Sequence, residues 1–249
     1  MSSAALKTRI AREFGTPAVV VDLDIVERNI ARTQALCDAR GIANRPHIKT
    51  HKSPVIAAMQ RDAGARGITC QKLGEAEVMA AAGLDDIFIS YNLLGEEKMG
   101  RLGALRATHD VSVAADNPVV VAGLPRAAEI AGRPLTVLVE CDTGRKRAGV
   151  ETPGEAIALA RDIASRPGLV FGGLMFYPPE NGAEAVNRFH DEVATALSAE
   201  GIGITRVSTG GTPNLLTLGT IPSATEHRAG TSIFNDRMMM AAGFATLAD

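Results

Sequence analysis

Residues 135–175 read LTVLVECDTGRKRAGVETPGEAIALARDIASRPGLVFGGLM, and this stretch decides the fold class. Two short apolar runs, Leu135–Cys141 and Leu169–Met175, enclose the Ala-rich segment Thr152–Ser165, which has the length and composition of a helix. A strand, a helix and a second strand in this order predict a βα repeat with a parallel sheet. The fold class is therefore α/β.

The same alternation runs along the chain and predicts a (β/α)8 barrel of the TIM type. The predicted strands are Ala18–Asp22, Asn44–Lys49, Gly67–Gln71, Ile87–Tyr91, Val111–Ala115, Leu135–Cys141, Leu169–Met175, Ile204–Ser208 and Arg228–Phe234, one more than the barrel needs. The predicted helices are Ile25–Arg40, Ser53–Asp62, Gly74–Ala82, Glu96–Thr108, Asn117–Ala131, Thr152–Ser165, Gly182–Glu200 and Pro213–Gly219. Asp24 is the expected N-cap of the first. Residues 1–15 are predicted as an N-terminal arm, either a short helix or a loose tail, ahead of a barrel at 16–236.

Composition excludes several classes of protein. The 249 residues carry 26 Lys and Arg against 28 Asp and Glu, a net charge of −2 that is not typical of proteins binding nucleic acid or anionic lipid. No apolar run reaches the ~18 residues of a membrane span, and the first residues lack the apolar core of a secretory signal. The three cysteines form no CxxC pair, which favours a cytoplasmic protein that acts on small molecules.

The segment Arg45–Ser53, RPHIKTHKS, is the richest in chemistry. As part of a strand it would place His47, Lys49 and His51 on one face, because residues two apart point the same way. Parallel strands are usually apolar throughout, so this face indicates a function rather than a solvated strand end. Burial and neighbouring cations lower the pKa of a lysine and make it a nucleophile. We therefore expect Lys49, rather than Lys52 beyond the strand, to form an imine with a carbonyl or with pyridoxal phosphate.

Two glycine-containing turns favour the phosphate-bearing cofactor. VSTGGTP (207–213) and RAGTS (228–232) each follow or continue a predicted strand, and backbone N–H groups in such turns bind anions. A third segment, VECDTGRKRAGV (139–150), places Arg145 and Arg147 in a loop. A guanidinium is a fixed positive charge that suits the phenolate oxygen of the cofactor.

Five segments together resemble the D-threonine aldolase / D-serine dehydratase family, which comprises fold-type III pyridoxal-phosphate enzymes related to alanine racemase. These are Thr16–Asn29, Arg45–Lys52, Gly67–Ala76, Gly173–Met175 and Gly230–Asp236. The resemblance implies that Lys49 carries the internal aldimine. It further implies cofactor contacts from Gln71, Arg147, Tyr177, Ser208, Gly210, Gly211, Arg228, Gly230 and Thr231. Arg147 would contact O3′, Arg228 the pyridine nitrogen, and Ser208 and the glycines the phosphate.

The resemblance also implies features outside the barrel. The strand Ala18–Asp22 would join a C-terminal β domain, of which residues 237–249 would be only the start. That domain in full-length members carries ligands for a divalent metal (Mn, Mg or Zn), and no metal ligand is assigned in this chain. A homodimer and a D-amino acid substrate are expected. Where the family often reads GLQAYHG, this chain has Gly173-Leu-Met-Phe-Tyr-Pro-Pro179, which indicates a distinct subfamily.

The implied reaction is cleavage of D-β-hydroxy-amino acids, D-threonine giving glycine and acetaldehyde with help from the metal. His51 or His47 would carry a proton, or else tune Lys49 and position the ring. The alternatives are a D-serine dehydratase that forms pyruvate and ammonia, a non-catalytic pyridoxal-phosphate-binding barrel, and a metal-independent racemase that would use Arg228. An ordinary sugar-phosphate barrel would explain the phosphate turns but not the His-Lys-His face.

Overall fold

The computed structural model describes residues 3–249, in which eight parallel strands form a (β/α)8 barrel. The strands are β1 (Ala43–Asn44), β2 (Ile68–Cys70), β3 (Ile87–Ile89), β4 (Val111–Ala115), β5 (Leu135–Cys141), β6 (Leu169–Phe176), β7 (Arg206–Thr209) and β8 (Glu226–His227). Hydrogen bonding runs in the order β1-β8-β7-β6-β5-β4-β3-β2. The ring closes where His47 bridges Thr69 and the Thr69 amide donates to the carbonyl of Pro46. The predicted barrel is thus confirmed.

Residues 3–249 contain nine helices, of which two precede the first strand, six follow the first six strands and one follows the last strand. They are α1 (Ser3–Phe14), α2 (Leu23–Asp38), α3 (Pro54–Asp62), α4 (Leu73–Ala81), α5 (Glu96–Thr108), α6 (Pro118–Ala131), α7 (Pro153–Ser165), α8 (Ala183–Ser198) and α9 (Arg237–Ala241). Most begin at sequence-encoded caps: Asn117 accepts from Val120 N, and Thr152 forms a capping box with Glu155. Gly132 ends α6 at a φ of 62°, a left-handed conformation that glycine adopts without strain.

Apolar residues form two layers around the strands. Phe88, Ala114, Leu138 and Met175 pack together on four neighbouring strands and fill the barrel interior. The residues between them, such as Val113 and Val137, belong to the larger cluster that includes the helices. Because both faces of the strands are buried, β4 and β5 consist mostly of apolar residues.

The predicted strand Ala18–Asp22 does not form within residues 3–249. The segment is irregular, and Val19 is 98% exposed. Its pairing with a further β domain stays a prediction. Asp22, not Asp24, caps α2, its carboxylate accepting from the amides of Asp24 and Ile25 at 3.0 and 3.3 Å. Of the N-terminal arm, residues 1 and 2 lie outside the described residues and the rest forms α1.

Two further predicted strands end early, and both errors matter for the site. β1 stops at Asn44, and Ile48–Thr50 form a 3₁₀ turn because the His47 ring accepts from the amide of Lys49. β8 stops at His227, and Thr231–Ile233 form another 3₁₀ turn instead of continuing a strand to Phe234. The predicted helix Pro213–Gly219 is also a 3₁₀ helix, at Thr212–Thr217.

Residues 237–249 pack against α2. Met239 and Phe244 are buried in a cluster with Cys37 of α2, while Arg32 stacks over the Phe244 ring at 4.6 Å. The assignment of this segment to a further domain stays a prediction. Within residues 3–249, none of the helices combines the length and hydropathy that crossing a bilayer requires.

Candidate active site

A cavity of about 280 Å³ opens at the carboxyl ends of the strands, where active sites of (β/α)8 barrels lie. Ten of the twelve predicted site residues line it: His47, Lys49, Gln71, Arg147, Tyr177, Gly210, Gly211, Arg228, Gly230 and Thr231. The two exceptions are His51 and Ser208. The wall also includes Ser90, Tyr91 and Glu140, which the sequence analysis did not assign.

Lys49 enters the cavity from the 3₁₀ turn rather than from a strand. The residue is open to solvent through the cavity mouth, but partial burial lowers the pKa of its amine, and the nearby cations Arg147 and Arg228 lower it further. A larger fraction of the amine is therefore neutral at a given pH, which is the form that attacks a carbonyl carbon. Lys52 instead pairs with Glu75 at 2.8 Å and lies outside the cavity lining.

The two histidines that flank Lys49 point in different directions. His47 lies in the cavity wall with Nε2 3.5 Å from Ser90 Oγ. His51 turns to α3, its Nε2 3.2 Å from Gln60 Oε1 and its Nδ1 accepting from Ser53 N at 3.0 Å. The predicted common face of His47, Lys49 and His51 is wrong, because the 3₁₀ turn replaces the two-residue period of a strand.

The pKa of His47 limits the chemical roles that its ring can have in the site. Burial lowers the pKa of His47 to about 3, and the charges of Lys49 and Arg228 act in the same direction. The ring is therefore neutral at physiological pH. It can orient a ligand or exchange a hydrogen bond with Ser90, but it does not store a proton as a cation.

Two backbone turns in the cavity wall form a cradle of free amide groups. Within residues 3–249, the amides of Gly211, Thr212, Gly230 and Thr231 make no hydrogen bond, and all four residues line the cavity. The Ser232 amide donates to Thr212 Oγ1 at 3.0 Å and ties the two turns together. A Cβ on Gly230 would lie 2.8 Å from the His47 carbonyl oxygen, so only glycine allows this approach. Converging free amides of this kind suit a phosphate.

Arg228 lies in the cavity floor, held by the barrel itself. Its Nη1 donates to Ser208 Oγ at 2.6 Å and its Nη2 to the Phe176 carbonyl at 2.9 Å. Burial lowers the pKa of Arg228 to about 10, so the guanidinium keeps its charge at neutral pH. Ser208 is fully buried and donates to Glu226 Oε1 at 2.6 Å. Its hydroxyl lies between Arg228 and Glu226, outside the cavity lining, and its predicted contact with phosphate stays a prediction.

A buried charge network continues below Arg228. Glu226 Oε2 accepts from Arg45 Nε at 2.7 Å, and Arg45 also holds both carboxylate oxygens of Asp86 at 2.9 Å. Arg45 and Glu226 are each 1% exposed. Charges buried this deeply are tolerated only when they are paired and hydrogen-bonded. The network anchors Arg228 from beneath.

Glu140 is a cavity residue that sequence reasoning missed. It is 3% exposed, and its carboxylate makes no hydrogen bond within the described residues, its nearest cation being Arg147 Nη2 at 3.9 Å. Burial raises the pKa of Glu140 to about 7, although Arg228 and Arg147 oppose the shift. The signal in the sequence was that Glu140 is the one charged residue in the mostly apolar strand β5.

Tyr177 and the loop after β5 form the remaining wall. The Tyr177 ring lies between the guanidinium groups of Arg145 and Arg147, at 4.2 and 4.7 Å from its centre. Asp142 folds the loop by accepting from the amides of Arg145 and Arg147 at 2.7 and 3.1 Å. This brings the Arg147 side chain to the cavity and leaves Arg145 behind the ring.

The chain matches one protein family over most of its length. The profile described as "Alanine racemase, N-terminal domain" matches residues 21–238. The chain belongs to the alanine racemase N-terminal domain family. Within that family it is 37% identical over 232 residues to a D-threonine aldolase from Arthrobacter sp., covering 89% of this chain and 61% of the relative.

Two further relatives of this alanine racemase-type barrel have related names. D-threo-3-hydroxyaspartate dehydratase from Delftia sp. (strain HT23) is 34% identical over 248 residues, covering 94% of this chain and 65% of the relative. The crystal structure of D-threonine aldolase from Filomicrobium marinum superposes with a TM-score of 0.87 at 31% identity, covering 94% of this chain and 66% of that one. The chain thus spans less than two thirds of the length of each.

The donor set of this alanine racemase-type barrel fits an aldehyde cofactor that carries a phosphate. A lysine with a lowered pKa and several free amides line the same cavity, and glycine at position 230 lets the amide-bearing turn pack closely against the His47 backbone. For a metal, no cluster of three or more His, Cys, Asp or Glu side chains within residues 3–249 has a suitable arrangement. The predicted divalent metal stays a prediction, and no step below depends on it.

Proposed function

We propose that this chain is the pyridoxal-phosphate-binding barrel of a lyase that cleaves D-β-hydroxy-amino acids, with D-threonine giving glycine and acetaldehyde. The observation that carries the proposal is that one cavity holds Lys49, the cradle of free amides, Arg147 and Arg228. The names of the relatives support the substrate class: two are D-threonine aldolases and one is a D-threo-3-hydroxyaspartate dehydratase.

Each residue then has a physical task. When bound, pyridoxal phosphate supplies an aldehyde for covalent attachment and a ring that takes up electrons as a substrate bond breaks. Lys49 would bind the aldehyde carbon, and the amides of Gly211, Thr212, Gly230 and Thr231 would bind the phosphate. Arg147 would face the phenolate oxygen. Together these contacts would hold the cofactor in the cavity.

Arg228 acts through its charge. Its guanidinium stays protonated, since its pKa is lowered only to about 10, and it is fixed by Ser208 and Phe176. A guanidinium has donors and no acceptor, so it can donate a hydrogen bond to the pyridine nitrogen but cannot accept a proton from it. We place Arg228 at that nitrogen.

Proton transfer at the substrate falls to Lys49 or Glu140. Both line the cavity, and their pKa values are shifted in the directions that favour exchange near neutral pH. His47, which is neutral throughout that range, orients rather than protonates. His51 takes no part, because its ring is bound to Gln60 outside the cavity lining.

The experiment treats the full chain with pyridoxal phosphate and then with borohydride, which makes the covalent bond permanent. The expected result is one cofactor mass on the peptide that contains Lys49. Lys49→Ala should abolish the addition, whereas the matched control Lys52→Ala should retain it. Modification of Lys52 alone, or none at all, would refute the assignment.

Product analysis separates the candidate reactions. With D-threonine and Mn²⁺ present, glycine and acetaldehyde support the aldolase, while a 2-oxo acid and ammonia support the dehydratase suggested by the Delftia relative. L-threonine serves as the stereochemical control. Binding of cofactor without either set of products would make the chain a cofactor-binding barrel and refute the lyase.

A further inference from the structure

A buried histidine lies directly behind the cradle, and none of the roles above uses it. His227 is the last residue of β8, is 1% exposed, and pairs in register with Thr209 of β7. Its Nε2 lies 3.0 Å from the carbonyl oxygen of Gly211. Since a carbonyl oxygen only accepts, Nε2 must carry the hydrogen.

This hydrogen bond fixes the orientation of one peptide group. The Gly211 carbonyl also accepts from Asn214 N at 3.0 Å, so two donors hold it away from the cavity. In a trans peptide the C=O and the following N–H point in opposite directions. Holding the Gly211 oxygen back therefore directs the Thr212 amide forward, and Thr212 lines the cavity with that amide unpaired within residues 3–249.

The turn at Gly210 leaves space for the imidazole ring of His227. Gly210 has a φ of +72°, and a Cβ built there would lie 2.0 Å from His227 Cε1. The imidazole therefore occupies the space of the missing side chain. Burial lowers the pKa of His227 to about 4, so the neutral ring with one N–H persists across the physiological range.

We propose that His227 is a positioning residue for phosphate binding, because its Nε2–H holds the Gly211–Thr212 peptide with the amide directed into the cavity. The proposal rests on the proposed function, in which the phosphate belongs to the cofactor. It does not require His227 to touch the cofactor. It predicts a defect that is specific for the phosphate group.

The test compares two probes, pyridoxal phosphate and pyridoxal, which differ only in the phosphate. His227→Leu removes the N–H and should raise the Kd of pyridoxal phosphate about 10-fold, the effect of one lost hydrogen bond. The Kd of pyridoxal should change less than about 2-fold. His227→Gln, which restores a side-chain N–H, should recover most of the affinity. His190→Leu, on α8 away from the cavity, is the matched control.

Each outcome decides between the explanations. Equal weakening of both probes by His227→Leu, or no weakening, would overturn the positioning role while leaving the proposed function intact. Failure of the wild-type chain to bind either probe would overturn both. If His227→Leu does not fold, His227→Phe keeps a ring behind Gly210 without the N–H and gives the same comparison. Failure of both variants to fold would assign His227 a purely structural role.

Discussion

Glu140→Gln should reduce the loss of folding stability that accompanies a rise in pH. The folded chain holds the pKa of Glu140 at about 7, against an ordinary value of 4.5, because the carboxyl is buried. As the pH rises above 4.5, this group ionises in the unfolded chain first, so unfolding becomes progressively easier. The loss levels off once the pH passes the folded value of about 7. Glutamine cannot ionise and removes this dependence.

The size of the effect follows from the shift. One pKa unit corresponds to about 1.4 kcal/mol, so the full shift amounts to about 3 kcal/mol. Most of it, about 2–3 kcal/mol, falls between pH 5 and pH 8. The free energy of unfolding of Glu140→Gln, minus that of wild type, should therefore be about 2–3 kcal/mol larger at pH 8 than at pH 5, so the variant gains stability relative to wild type as the pH rises.

Urea denaturation of the cofactor-free chain at the two pH values measures this difference. Glu192→Gln, which neutralises an exposed carboxylate on α8, is the control and should behave like the wild type at both. A Glu140→Gln variant whose stability relative to wild type is the same at pH 5 and pH 8 would refute the argument. It would mean that Glu140 is ionised in the folded chain throughout.

Three other outcomes follow from the site. Glu226→Ala should lower the free energy of unfolding by about 3–5 kcal/mol in urea denaturation, because it removes the buried carboxylate that accepts from Arg45 and Ser208 and balances the charge of the buried arginines; a loss below 1 kcal/mol would contradict the network. His51→Ala should leave the Kd of pyridoxal phosphate within about 2-fold in a spectroscopic titration, since its ring faces Gln60; a 10-fold change would return His51 to the site. Arg147→Met should shift the trapping of Lys49 by borohydride to higher pH, because it removes a cation that lowers the pKa of Lys49. An unchanged pH profile would exclude an effect of Arg147 on that pKa.

The barrel was predictable wherever local signals and burial agree. β4, β5 and α5 have the bounds read from the sequence. The two strands are almost entirely buried, and the helices that follow them, α6 and α7, begin at side-chain caps. Ala18–Asp22 failed because β propensity records only that a residue suits a strand, not that a partner strand is present. Pairing is a long-range property, and a single sequence does not show it.

The residues of the site likewise divide into those that local motifs predict and those whose positions depend on contacts distant in the sequence. The lysine and the glycine turns are local motifs, and the structure brings them to one cavity. The orientation of His51 and the burial of Ser208 depend on a 3₁₀ turn and on Glu226, which is 18 residues from Ser208 in the chain. Glu140 belongs to no local motif, and His227 lies between Glu226 and Arg228 with no spacing that marks it. Their positions at the cavity and behind the Gly211 turn depend on contacts between strands.

The distribution of charge explains why Arg147 rather than Arg228 should govern Lys49. Arg228 is fixed through Ser208 to Glu226, so much of its field is balanced by a carboxylate within the barrel. Within the described residues the carboxylate paired with Arg147 is that of Glu140, at 3.9 Å, and the raised pKa of Glu140 leaves it partly protonated near neutral pH. Arg147 is therefore the less compensated cation in the cavity, and among the charges that lower the pKa of Lys49 it comes first. A ligand oxygen that is ionised gains most beside Arg147, whereas an uncharged ring nitrogen can face Arg228 without leaving a second charge unpaired.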